Sequence, residues 1–244
     1  MPDLSTLRAE DHSPAHWEEA KRIWPDRART EFRSIQIMNR FLGDVLASGD
    51  PLDVYAGCHD MVLDEIRHVA LTRAVCEKLG APAVFPSPIP LELSDAFEKA
   101  PPQQRALTTA IGMLAINETI SVALIADLQA RCDYAPIRAV LDATLADEAE
   151  HEEFGWEFVR SSLKRFPETA RGMWRQVVQQ ALEQHRKESD AALANVPEEK
   201  RSLDAWPDEG RIRLGLFSRE RQSLVFEKVY RETLAPKLLG LGLL

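Results

Sequence analysis

Two short stretches of this chain repeat one chemical phrase. Glu65-Ile66-Arg67-His68 and Glu148-Ala149-Glu150-His151 are both Glu-x-x-His, and each follows an aspartate, Asp64 and Asp147. On a helix, residues three apart share a face, so each stretch offers a carboxylate and an imidazole to one point. That ligand mix suits iron or manganese better than a thiolate-seeking metal. Two such points facing each other would hold two ions. A single Glu-x-x-His is a weak signal, since roughly one is expected by chance in such a chain. Two copies, each preceded by Asp, arise by chance in roughly one sequence per thousand.

Two carboxylates and two imidazoles do not complete a two-metal site between four helices. Each of the other two helices must give one glutamate, and the turns show where to look. Glu65 lies about 17 residues past a turn near Ser48, and the same count back reaches Glu31. Glu148 lies about 15 residues past a turn near Asp133, and the same count back reaches Glu118. At ~1.5 Å per residue, these partners sit at equal depth, roughly 22 to 26 Å from each turn.

Both glutamates stand where a carboxylate is costly. Glu31 shares a stripe with Ile35, Met38 and Leu42, and Glu118 is set between Ala110–Ile116 and Ile120–Leu124. A buried carboxylate must be paired or bound to metal. Four carboxylates against two divalent ions make a neutral site, which suits a low-dielectric interior. Asp64 and Asp147 are read as acceptors for the free N–H of a ligand histidine, fixing its tautomer.

The chain must supply helices to carry these groups. Of its 244 residues 45% are hydrophobic, enough for one large domain with a sizeable core. Prolines and glycines cluster, and the stretches between them have helical periodicity with no strong strand alternation. Pro25-Asp26 opens a first helix to about Ser48, and a second runs from about Pro51 to Leu79. Gly80 to Pro90 holds four prolines (Pro82, Pro86, Pro88, Pro90) and reads as a long crossover. A third helix spans about Pro102 to Ala130, and a fourth follows the Asp133 turn to about Arg165. A fifth runs from Pro167-Glu168 to about Asn195, and Pro207-Asp208 opens a last amphipathic segment. The Leu-rich end, Leu238 to Leu244, would pack on the bundle or on a second subunit in a homodimer. The expected fold is all-α: two helical hairpins joined by a crossover over about 26–165, with C-terminal helices over about 168–244.

Composition excludes other classes. A net charge of -9 argues against nucleic acid, whose binding needs Lys and Arg. The start, Met1 to Trp17, lacks a signal-peptide pattern. The most apolar stretch, Ala110 to Leu128, is interrupted by Asn117, Glu118 and Asp127, so no membrane span is expected and the cytoplasm is the default location. Cys58, Cys76 and Cys132 form no Cys-x-x-Cys pair and read as ordinary thiols. His12, His16, His59 and His185 lack a glutamate three residues before them and read as satisfied surface or core histidines. The tryptophans read as packing anchors. Asn117, Thr119 and Ser121, flanking Glu118, read first as helix-interface hydrogen bonders, and Glu152 as part of a solvated face.

Taken together, Glu31, Asp64-Glu65-x-x-His68, Glu118 and Asp147-Glu148-x-x-His151 resemble the ferritin-like di-iron carboxylate superfamily over about 26–165. The resemblance implies two iron ions, with manganese or a mixed pair as variants, and O2 as co-substrate. It implies an oxidoreductase, a hydroxylase or oxidase of a small organic or carrier-bound substrate, served by an external electron donor. The alternative within the same resemblance is a ferroxidase or metal-handling protein without organic substrate. Several branches are excluded by what this chain lacks. Thr72 stands where the ribonucleotide reductase small subunit has its radical tyrosine, and Thr144 where the arylamine N-oxygenases have an extra histidine. No rubredoxin-like cysteine site is present. The doubled Asp-Glu-x-x-His most resembles the hydroxylase subunits of bacterial multicomponent monooxygenases, which are far longer.

Overall fold

A computed structural model describes residues 1–82 and 89–244. Every regular element among these residues is a helix, and the all-α expectation holds. Pro86 and Pro88, part of the crossover reading, lie outside the described residues. The chain divides into two compact units. Unit 1 comprises Met1–Ala106, Arg131–Asp147 and Gly210–Leu216; unit 2 comprises Leu107–Ala130, Glu148–Glu209 and Phe217–Leu244.

Unit 1 is built on a helical hairpin. Helix α1 spans Pro14–Ala47 and α2 spans Leu52–Leu79. The four residues between them force the helices to run antiparallel and pack along their length. The sequence reading started α1 at Pro25, but the helix begins eleven residues earlier and Pro25 lies inside it. The true start carries two signals at once. Ser13 caps the helix by accepting from the His16 N–H at 3.2 Å, and Pro14 takes the first helical position, where its missing N–H costs nothing. At the other end of the hairpin, Gly80 closes α2 in the left-handed conformation, φ 69°.

The core of unit 1 is lined by Trp24, Met38, Phe41 and Val45 of α1 and by Met61, Leu71 and Val75 of α2. Ile137, Val140 and Leu141, from the start of α6 (Ala135–Ser162), complete it. Trp24 does not leave its polar edge unsatisfied: its indole N–H donates to the Leu214 carbonyl at 3.0 Å.

Unit 2 is organised around an unusual helix. Residues Pro102–Arg131 form one continuous rod, α4 (Pro102–Thr109), a π-helical stretch (Ala110–Asn117) and α5 (Glu118–Arg131). It is the one helix among the described residues long and apolar enough to cross a bilayer, although its most apolar window is 44% buried. The charges inside it are accommodated by protein. Glu118 is buried, and Asp127 takes a two-pronged contact from Arg221 at 2.8 and 2.7 Å. Arg221 also donates to the carbonyls of Leu203 (2.6 Å) and Trp206 (2.9 Å), tying the irregular 194–210 stretch to α5.

Packed with this rod in unit 2 are the second half of α6, then α7 (Arg171–Leu193) and α8 (Arg219–Val229). A π turn (Tyr230–Leu234) and α9 (Ala235–Gly240) end the chain. The sequence reading opened the last helix at Pro207, but α8 starts twelve residues later. Asp208 (φ 55°), Gly210 (φ 78°) and Gly215 (φ 66°) all adopt left-handed conformations that no helix passes through, and Ser218 supplies the cap. Leu238 and Leu243 of the Leu-rich end are buried against the rest of the chain, while Leu239 is exposed.

Candidate metal centre

In unit 1, Glu31 of α1 and Glu65 and His68 of α2 converge. One donor atom from each lies within 4.8 Å of the others. Glu65 and His68 stand one helical turn apart and both are fully buried, while Glu31 is half-buried. His68 Nδ1 is 3.8 Å from a carboxylate oxygen of Glu31 and 3.8 Å from one of Glu65.

The opposite nitrogen of the same ring is held. His68 Nε2 lies 3.1 Å from Asp147 Oδ2. Arg67 braces that aspartate at 2.7 Å and reaches Asp64 at 2.6 Å. Burial alone would raise the Asp147 carboxyl, but the hydrogen bonds from Arg67 and His68 outweigh it and hold it below the ordinary carboxylate value. An ionised carboxylate can only accept, so Nε2 carries the proton. In a neutral imidazole Nδ1 is then the lone pair, and it faces Glu31 and Glu65, the orientation a ligand histidine needs. Of the two aspartates read from the sequence as histidine acceptors, Asp147 makes this contact to His68, and Asp64 accepts from Arg67.

In unit 2, Glu118, Glu148 and His151 form a second trio, again within 4.8 Å of one another and all buried. Glu148 and His151 share a face of α6, with His151 Nδ1 3.3 Å from a Glu148 oxygen. Glu118 arrives from the π-helical rod. Its backbone N–H bonds to the Met113 carbonyl, five residues back instead of four, so the π winding sets its rotation on the rod. Close helix approach supports the trio. Gly155, one turn beyond His151, lies directly on Leu114, one turn before Glu118. A Cβ on Gly155 would sit 2.4 Å from the Leu114 carbonyl oxygen.

The residue types fit a metal. Two donors on one divalent ion, each bonded at about 2.1 Å, stand no more than about 4.2 Å apart. A 4.8 Å spread needs only a few tenths of an ångström of closure. Each trio gives two carboxylates and one imidazole, which balance one divalent ion.

Beside the second trio runs a network that the sequence pattern does not single out. The Trp156 indole donates to the Thr119 hydroxyl at 2.9 Å, which lies 2.9 Å from Glu152. Lys237 of α9 donates to the same Glu152 oxygen at 2.7 Å and sits 4.9 Å over the Trp156 ring. Glu152 is thus tied down rather than solvated, and Thr119 bonds across the helix interface. Such contacts join residues 37 and 85 positions apart, with no local spacing to announce them.

The remaining reactive groups stay outside the trios. His185 bonds Asn117 through Nε2 at 3.1 Å and stacks on Phe226; burial lowers its basicity. His12 packs against Trp17 and Tyr134, His16 lies against Gly210, and His59 is exposed on α2. Burial pushes the Cys58 thiol up to about 12 and the Cys76 thiol up to about 11, so both stay protonated and poorly nucleophilic at neutral pH.

Comparison of the chain with protein-family models, with characterised proteins and with solved structures yields no match.

Proposed function

We propose that each trio holds one metal ion and that the chain is a ferritin-like, O2-dependent, non-haem di-iron oxidoreductase. The observation that carries this reading is the convergence, twice over, of two carboxylates and one imidazole from separate helices, with five of the six groups buried.

In this reading Glu31, Glu65 and His68 hold one ion, and Glu118, Glu148 and His151 the other. Bound in the reduced state, such ions would supply two electrons to O2, which organic side chains cannot do. The protein's own residues do the rest. Asp147 keeps the His68 proton on Nε2, and Arg67 keeps Asp147 ionised. Leu114, Ile116 and Ile120, buried around Glu118, exclude water from the carboxylates. Thr119, Glu152 and Trp156 fix the rotation of the helices that present Glu118 and His151. The electrons come from a separate donor or from the substrate. The substrate is a small or carrier-bound organic molecule, and the cell compartment is the cytoplasm.

Metal analysis tests the centre and O2 reactivity tests the chemistry. Purified protein reconstituted with ferrous iron is expected to hold two ions per chain, and a Glu148→Ala, His151→Ala double variant to lose at least one. Fewer than one ion per chain, together with unchanged stability of the double variant, sinks the reading. In single turnover, the reduced protein should consume about one O2 per metal pair. Rapid oxidation of iron added in large excess would assign the chain to iron handling instead.

A further inference from the structure

Helix α2 has a second pattern, on the face turned away from Glu65 and His68. Leu52, Ala56, His59, Leu63, Ile66 and Ala70 recur at alternating intervals of four and three, and all six are exposed. Leu52 is 79% exposed, Leu63 50% and Ile66 49%. They are three of only seven large apolar side chains so exposed among the described residues. The buried residues of the same helix, including Cys58, Met61, Glu65, His68 and Thr72, occupy the opposite face. A 3.5-residue apolar period on a solvent-facing helix is the seam of a helix pair, and among the described residues this stripe stays exposed.

We propose that this stripe is the contact surface for a second copy of the chain, the two α2 helices pairing antiparallel about a two-fold axis at residue 61. The side chains themselves choose this arrangement. Antiparallel pairing about that point sets Leu52 against Ala70, Ile66 against Ala56 and Leu63 against His59 of the second copy. Every layer then puts a branched aliphatic side chain opposite a smaller one or an imidazole. Parallel pairing would set Leu on Leu and Ala on Ala, crowding some layers and leaving others hollow.

Charge agrees. In the antiparallel register, the positions beside the seam bring Asp53 of one copy next to Arg67 of the other, twice by symmetry. Arg67 is 56% exposed while it holds Asp64 and Asp147, so solvent and a second copy can reach its guanidinium. One like-charge contact remains, Asp60 against its own symmetry mate on the axis. The seam spans 19 residues, about 28 Å at ~1.5 Å each. A single helix pair of that length lies at the small end of specific interfaces, the class of weak, reversible association.

Sedimentation velocity from about 1 to about 100 μM, a range that brackets small interfaces, tests this. The wild-type chain should pass from monomer to dimer across that range, equally with and without metal. Leu63→Glu and, separately, Ile66→Lys should be monomeric throughout, with circular dichroism and metal content unchanged because both sites are half exposed. Asp60→Asn should tighten the dimer about tenfold by removing the axial repulsion. A monomer at every concentration, a dimer indifferent to Leu63→Glu and Ile66→Lys, or a dimer weakened by Asp60→Asn overturns the proposal. None of these outcomes depends on whether the trios bind metal.

Discussion

His68 and Asp147 meet through Nε2 and Oδ2 at 3.1 Å, and this one bond decides which imidazole nitrogen faces Glu31 and Glu65. Were the proton on Nδ1 instead, it would point at the two carboxylates and no cation could share the site. The aspartate thus acts on a histidine it does not belong with in sequence, 79 positions away.

Replacing Asp147 by Asn keeps the shape but lets the ring choose either tautomer. Metal affinity of the chain should fall about 10- to 100-fold, measured by competition with a chelator, while the Glu118–Glu148–His151 trio keeps its ion. The acid limb gives a second check on metal-free protein. Asp147 is held below its ordinary pKa, so its stabilising contribution is complete above the ordinary carboxylate range. It is lost as pH falls through the lower, folded-state value. The stability difference between wild type and Asp147→Asn should therefore be constant near neutrality and close only at acid pH.

Glu118 separates a metal ligand from a structural carboxylate. It lies with Glu148 and His151 in a water-poor interior, where a like-charged neighbour is costly without a cation. Glu118→Gln should abolish the thermal stabilisation that metal confers, yet leave the metal-free protein at least as stable as wild type. A structural network would behave oppositely, losing about 1–3 kcal/mol without metal. Thermal melts with and without ferrous iron distinguish the two.

Gly155 opposes helix propensity to packing. On propensity alone, Gly155→Ala would stabilise α6 by about 1 kcal/mol. The added carbon would stand 2.4 Å from one Leu114 atom and 2.6 Å from another, and such overpacking costs about 1–3 kcal/mol or more. The clash should win. Chemical denaturation should show a net loss, and the second trio should bind metal more weakly because its helices are pushed apart.

Arg221 is a buried cation that donates four hydrogen bonds, two to Asp127 and one each to Leu203 and Trp206. Arg221→Ala removes a charge partner of the partly exposed Asp127 and the donor to two carbonyls, a loss of about 1–3 kcal/mol. Limited proteolysis should then cut first within 194–210, the stretch this side chain anchors.

Much of the fold and of the candidate site is legible in the sequence because local spacing determines it. Counting back from Ser48 selects Glu31, whose carboxylate lies 3.8 Å from His68, and the count is indifferent to where α1 begins. That is why the misplaced start at Pro25 did no harm to it. Pro25 and Pro207 misled for one reason: a proline is compatible with a helix start but does not demand one. Ser13-Pro14 and Ser218 carry the stronger capping signal. The Asp127–Arg221 pair and the Thr119–Trp156–Lys237 network are illegible because they join residues 37 to 94 positions apart. No periodicity reaches that far.

The π-helical stretch before Glu118 makes residue number, more than residue type, the quantity under constraint. Each residue of a helix turns the chain by about 100°. Adding one more residue between 110 and 117 at ordinary winding would swing Glu118 about a quarter-turn away from Glu148 and His151. Ala110–Asn117 should therefore tolerate exchange of one apolar side chain for another while rejecting an insertion. Among descendants of this sequence, the spacing from Pro102 to Glu118 would persist after most of the letters between them had changed.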